Sequence, residues 1–246
     1  MDIVILKFGG TSVTTGEKRA RIITLVKECL SKGEYPIVVV SAIGRAPSPY
    51  ATDTLISLVS DSFREDNLRG MDLLMSCGET ISSVIISSVL RNNGVNATPL
   101  TGFQAGIITD STYSSANVIK YKDKLIKKLL KQRIVPVVTG FQGMDKDGFI
   151  TTLGRGGSDT TAAVLGAFLN AKRVDIYTDV DGILTSDPNI DPNAKLIENL
   201  TYDKAYDMAI NGAKVIHPKA ILYVKEKGIP MYIKNVLKDE KGTLIN

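Results

Sequence analysis

Short runs rich in Val and Ile alternate with amphipathic stretches along this chain, and that alternation constrains its fold more than any other feature. Ile3–Leu6, Pro36–Val40, Val95–Leu100, Ile134–Thr139, Arg173–Tyr177 and Ile229–Lys234 read as strands covered on both faces. Between them, Lys18–Ser31, Met71–Asn92, Lys122–Gln132, Ser158–Leu169, Thr201–Asn211 and Pro218–Lys227 read as helices. On Met71–Asn92 the spacing puts Leu74, Cys77, Ile81, Ile85 and Val89 on one face, expected to be buried. Strands and helices in turn predict an α/β fold, a three-layer α/β/α sandwich around a mostly parallel open sheet. A length of 246 residues suits one such domain or two small ones, and the absence of a linker favours one. The loop Gly140–Asp147 is the expected seam between an N-lobe of about residues 1–143 and a C-lobe of about 144–246.

Composition removes several classes of function. An apolar fraction of 43% with a net charge of only +4 excludes a disordered chain. The longest apolar stretches are short or broken by Ser, so no membrane span is expected. The chain opens on a strand with no basic leader or apolar leader core, so a cytoplasmic location is expected. Cys29 and Cys77 lack metal or redox spacing and are expected to pack as reduced, small hydrophobes. The densest basic patch, Lys120–Arg133, has Leu125, Ile126, Leu129 and Leu130 at helical spacing. Its lysines therefore read as a solvated helix face, and nucleic acid is not an expected partner.

Three loops hold the candidate chemistry. The first strand runs into Lys7-Phe8-Gly9-Gly10-Thr11-Ser12. Paired glycines let backbone N–H groups approach an anion, although a plain strand–turn–helix would use them too. The second loop, Gly154-Arg155-Gly156-Gly157-Ser158-Asp159-Thr160-Thr161, opens an apolar helix. Ser158, Asp159 and Thr160 are candidate N-caps, and glycines before a helix N-terminus make an anion site with Arg155 as a bidentate donor. The third loop, Thr178-Asp179-Val180-Asp181-Gly182-Ile183-Leu184-Thr185-Ser186-Asp187-Pro188, follows a strand, where ligands of open α/β sheets bind. Its acids lack a calcium-loop register. Glu79, inside a long apolar helix, needs a cation from the protein or from a ligand amino group. His217, the one histidine, sits at an element boundary and reads as structural.

These loops, with Val39-Val40-Ser41-Ala42, Tyr50-Ala51-Thr52-Asp53, Gly78-Glu79, Gly140-Phe141-Gln142-Gly143 and Gly212-Ala213-Lys214-Val215, resemble the aspartate kinases of the amino-acid kinase fold family. The resemblance runs in order through essentially the whole chain, and Lys7–Ser12 together with Gly154–Asp159 is its most specific part. It implies transfer of a phosphoryl group from ATP, carried with Mg²⁺, to the side-chain carboxylate of L-aspartate. It implies that Lys7 and the Gly9, Gly10 and Thr11 turn, with Gly156 and Gly157, hold phosphate, and that Asp159 orients the phosphate-binding lysines. Arg155 would grip the α-carboxylate and Glu79 the α-amino group, with Ser41, Thr52 and Ser158 completing the pocket. Thr178, Asp179 and Lys214 would line the ATP site, and no protein-held metal is implied. A sister carboxylate kinase or a nucleotide-binding regulatory subunit, with self-association left open, are the other readings. Asn189 and Leu184 stand where the family pattern usually has Arg and Tyr. The sequence stops where such kinases continue into two ACT domains, so no amino-acid feedback module is expected.

Overall fold

The computed structural model describes residues 1–186, 191, 193–213 and 216–246; Asn189 and Lys214 lie outside these. In chain order the elements are β1 (Ile3–Phe8), a 3-10 turn (Gly10–Val13), α1 (Gly16–Ser31), β2 (Tyr35–Val40), α2 (Thr52–Ile56), α3 (Asp61–Asp66), α4 (Leu68–Asn92) and β3 (Ala97–Leu100). Next come β4 (Ile107–Thr109), β5 (Val118–Tyr121), α5 (Lys124–Lys131), β6 (Val135–Thr139), β7 (Gln142–Met144) and β8 (Ile150–Thr152). The chain continues through α6 (Gly157–Leu169), β9 (Arg173–Thr178), β10 (Asn199–Leu200), α7 (Tyr202–Ile210), α8 (Pro218–Lys227), β11 (Met231–Asn235) and β12 (Thr243–Ile245). Eight strands form one sheet in the order β10-β12-β11-β9-β1-β2-β6-β3. Every neighbouring pair is parallel except β11 with β12.

The interior follows from the period-two alternation of the strands. Ile3, Ile5, Ile37, Val39, Val174, Ile176, Met231 and Ile233 face one side, where they pack with α5, α6, α7 and α8. Val4, Leu6, Phe8, Val38, Val40 and Val137 face the other, with Ile22 and Val26 of α1 and Ile86 and Leu90 of α4. Helix α6 is apolar all round and buried nearly all round, as a helix at the centre of a core must be. Its Leu165 is fully buried, so Leu165→Ala should cost about 2–5 kcal/mol, measured by urea unfolding. The second face is only half covered by helices. Beyond α1, β9 and β11 present Arg173, Asp175 and Lys234, and buried Asp175 accepts from both cations at 3.0 Å. Arg173 also pairs with buried Glu34, which holds the Glu34 carboxyl down at about 2.

Helix α4 departs from expectation. Its buried face is Met71, Asp72, Ser76, Gly78, Glu79, Ser82, Ser83, Ile86, Ser87 and Leu90. Leu74, Ile81, Ile85 and Val89 are only half-buried and Cys77 is exposed. Leu73 and Val84, next to that stripe, are 56% and 52% exposed. The apolar stripe misled because the helix meets its neighbours through small residues that allow close approach: a Cβ on Gly78 would stand 2.7 Å from the Ala42 methyl. Cys77 thus does not pack as a hydrophobe, whereas Cys29 does, and burial pushes the Cys29 thiol up to about 12. With 25 residues and an 18-residue window of mean hydropathy 1.6, α4 also has the length and apolarity to cross a membrane, contrary to the sequence reading. Its inward face of carboxylates and serines, packed on β2, β3, β6 and β8, identifies it as a core helix.

The expected seam at Gly140–Asp147 is not a loop. It contains β7, which joins β4, β5 and β8 in a second sheet of order β5-β4-β7-β8. Strands of three or four residues carry too little pattern to be seen in the sequence. This small sheet overhangs the carboxyl end of the large one. Three acids pin the loop between β4 and β5. Asp110 accepts from Thr112 and Asn117, and buried Asp145 from the Ser111 and Tyr113 hydroxyls. Asp72 of α4 accepts from Ser114 and Thr152.

Candidate active site

A cleft of about 630 Å³ opens where the large sheet's carboxyl ends face the small sheet. Lys7, Gly10, Ser41, Thr52, Glu79, Arg155, Gly156, Gly157, Ser158 and Asp159 all line it. Residues from four distant segments therefore converge on one cavity. Lys7 is the last residue of β1 on the face that carries Ile3 and Ile5, and the period of β1 aims it at α6. Its Nζ lies 2.6 Å from Asp159 Oδ1, and only 8% of the residue is exposed. The ammonium curls back over the turn, so that a Cβ on Gly9 would stand 3.7 Å from it. Gly10 has no room for one: its Cβ would meet Ala42 O at 2.5 Å. The Gly44 N–H donates to Gly10 O at 3.0 Å, locking this turn to the loop after β2.

The second glycine loop is built differently from expectation. None of Ser158, Asp159 and Thr160 caps α6; the N-cap is Gly156 in the left-handed conformation (φ 66°), and no side chain caps the first turn. Glycine is required there twice over, because a Cβ on Gly156 would also stand 2.3 Å from the His217 side chain. An uncapped helix N-terminus opening into a cleft is an anion site. Arg155, exposed in the cleft wall, adds a cation to it. His217 itself caps α8, its Nδ1 accepting from Lys219 N at 3.3 Å, and burial lowers its pKa.

Glu79 is the most constrained charge in the cleft. It is 3% exposed, and Oε1 accepts from Ala42 N at 3.0 Å. Oε2 is buried with no hydrogen-bond partner, and no protein cation pairs with Glu79 among the described residues. Among the described residues neither an ion pair nor a hydrogen-bond donor reaches Oε2. Burial pushes the carboxyl up to about 7. Below the unfolded value near 4.5 this group is protonated in both states. As pH rises through 7 the fold must carry a buried anion, and the stability gained at low pH is lost. Glu79→Gln should therefore melt close to wild type at pH 5 and several degrees above it at pH 8, read by thermal unfolding.

Gly9 and Thr11 belong to the first turn but stand behind the cleft wall; Gly9 N donates to Tyr177 O at 3.1 Å. That bond ties the turn to β9 and so to Thr178 and Asp179, which sit beside the cleft rather than in it. Asp179 pairs with Arg45 at 3.5 Å, while Asp181 is occupied by Asn235 and Lys238. Leu184 bridges to Leu196, and Lys214 and Asn189 lie outside the described residues. Sequence reasoning missed Arg64, Met71, Met75, Ser114 and Phe141, which also line the cleft. Met71 and Met75 were within reach of it, since they precede Glu79 by two turns and one turn on α4. Ser114 and Phe141 sit on loops whose path no pattern fixes.

Comparison with known proteins agrees with this architecture. Residues 2–235 match the Amino acid kinase family. The chain is 44% identical over 245 residues to Aspartokinase 1 of Bacillus subtilis (strain 168) and 39% identical to the aspartokinase of Geobacillus stearothermophilus. It is covered in full by both matches but spans only 61% and 59% of those relatives. The aspartate kinase from Synechocystis superposes with a TM-score of 0.86 at 37% identity, over 99% of this chain and 39% of that one. E. coli aspartokinase III, in a complex with aspartate and ADP, superposes with a TM-score of 0.83 at 28% identity, over 99% of this chain and 64% of that one.

Proposed function

The chain belongs to the amino acid kinase family, and we propose that within it the chain is the catalytic domain of an aspartate kinase. It would transfer the γ-phosphoryl group of ATP to the β-carboxylate of L-aspartate, giving 4-phospho-L-aspartate and ADP. The observation that carries this reading is the placement of Glu79 and Arg155 in one cleft with Lys7. A buried carboxylate oxygen and an exposed guanidinium, neither with a partner among the described residues, fit the amino and carboxylate groups of a small amino acid. The similarity to B. subtilis Aspartokinase 1 supports the same substrate. As an enzyme of amino-acid metabolism it would work in the cytoplasm.

The chemistry needs positioning and charge, not a base. The acceptor carboxylate is already ionised at neutral pH, so no proton has to be removed. One of its oxygens forms a bond to the γ-phosphorus as the bond to the β-phosphate oxygen breaks, and ADP leaves with that electron pair. Lys7, held by Asp159, would lie against the transferring group. The α6 N-terminus with Gly156 and Gly157 would cradle its oxygens as charge develops. Gly9 and Thr11 shape the lysine turn, and Ser41, Thr52 and Ser158 would close the pocket around the acceptor. Thr178 and Asp179, with Lys214, would meet the nucleoside end. Among the described residues no three metal-binding side chains cluster, and the cleft's donors are cationic or N–H groups that suit a magnesium-bound triphosphate. Mg²⁺ bound this way would neutralise phosphate charge. We assign residues 1–246 to one catalytic domain of two lobes; the boundary near 143 falls inside β7.

The test is an acyl-phosphate trap. With ATP and hydroxylamine, L-aspartate should yield hydroxamate while L-glutamate and N-acetylglutamate yield little. No aspartate-dependent hydroxamate from folded protein rejects the reading, and preference for another acceptor makes the chain a sister carboxylate kinase.

A further inference from the structure

Asp72 is a buried acid with no part in the chemistry above. It is fully buried on α4, two helical turns before Glu79, or about 10 Å along the axis. A buried carboxylate at this depth is expensive unless every lone pair is used. Here all its partners come from two other segments. Oδ1 accepts from the Thr152 hydroxyl at 2.7 Å and from Ser114 N and Oγ at 3.0 and 3.3 Å. Oδ2 accepts from Thr152 N at 2.8 Å and Ser114 N at 2.9 Å.

Those partners lead to the cleft. Thr152 is the last residue of β8, and Leu153 and Gly154 alone separate it from Arg155. Ser114 lines the cleft with a left-handed backbone (φ 66°), a conformation uncommon for serine that outside bonds must hold. Its carbonyl lies against Gly154, where a Cβ would come within 3.2 Å. Ala116 N donates to Thr152 O at 2.8 Å, closing the corner. One carboxylate thus ties the helix that carries Glu79 to the strand that delivers Arg155.

We propose that Asp72 is a positioning residue for acceptor recognition: it fixes Arg155 and Ser114 relative to Glu79, and so sets the span between the two groups that hold the amino acid. This rests on the aspartate-kinase reading. Asp72→Asn presents an amide NH₂ to the N–H donors of Ser114 or Thr152, and the corner cannot close as before.

The experiment measures hydroxamate formation at saturating ATP with varied aspartate for wild type, Asp72→Asn, Arg155→Ala and the double variant. Asp72→Asn should raise KM for aspartate about tenfold, with KM for ATP within about twofold of wild type. Arg155→Ala and the double variant should share nearly the same KM, because Asp72 acts through Arg155. An unchanged KM for aspartate in Asp72→Asn, or effects that multiply in the double variant, overturns the proposal. A merely structural role would lower the melting temperature and the active fraction and leave KM alone. Thr152→Val removes the 2.7 Å bond while keeping the side chain's shape, and decides the matter if Asp72→Asn does not fold. It should raise KM for aspartate several-fold, and an unchanged value overturns the proposal. Wild type without any aspartate-dependent product would instead reject the parent assignment, so the two failures are distinct.

Discussion

Lys7→Ala is expected to lower kcat by about 10²-fold or more, the scale for losing one preorganised donor to charge that develops in the transition state. The ammonium ends a strand hydrogen-bonded on both sides and is held 2.6 Å from Asp159, so it is oriented before substrate arrives. No other described cation can replace it. Arg155 is exposed in the wall formed by the other loop, Arg64 of the cleft lining is paired with Asp61 at 2.7 Å, and Lys18, outside the lining, is engaged with Thr11 O at 2.9 Å. Removing Lys7 also leaves Asp159 as an uncompensated anion in the phosphate cradle, which adds repulsion to the loss of attraction. Steady-state rates with both substrates saturating, on protein shown to be folded by its far-UV spectrum, check this. An unchanged kcat would place Lys7 away from the transferring group.

Glu79→Ala is expected to raise KM for aspartate by about 10²-fold while KM for ATP stays within about twofold, since losing one partner of a buried charge pair costs about 2–5 kcal/mol. The asymmetry follows from geometry: among the described residues Glu79 accepts from the Ala42 N–H, and its other, buried oxygen has no partner. It also predicts a pH dependence. The carboxyl, pushed up to about 7 by burial, must ionise to pair with an ammonium, so KM for aspartate should rise up to tenfold per pH unit below 7. In Glu79→Ala that slope should vanish. A rise confined to KM for ATP, or a KM for aspartate flat from pH 5.5 to 8 in wild type, would refute the assignment.

Six of the large sheet's eight strands were legible because they are short, buried, apolar runs, as in Ile3–Leu6, whereas β10 and β12, of two and three residues, carry too little pattern. The cradle was legible for a different reason. Gly10 and Gly156 are glycines that the backbone demands, so chemistry and spacing coincide in the sequence. What escaped was information held between distant residues. Ser114 is held at the cleft by Asp72, 42 positions earlier. The helix α6 start could not be read from Ser158 or Asp159, since a left-handed Gly156 ends the turn before any side chain can cap it. The α4 stripe misdirected because hydrophobicity marks burial poorly where serines and a glycine make the close contacts.

The two sheets differ in how they are held, and that difference divides the cleft in time as well as in space. The lysine turn grows from β1, flanked by β2 and β9 in the middle of eight strands. Its amides should resist hydrogen exchange until the whole domain unfolds. The opposite wall hangs on strands of three or four residues and on side-chain bonds to Asp72, Asp110 and Asp145. Such a unit opens locally at a small fraction of the global cost. On the proposed reading, acceptor and product would pass on the small-sheet side while the lysine turn stays formed.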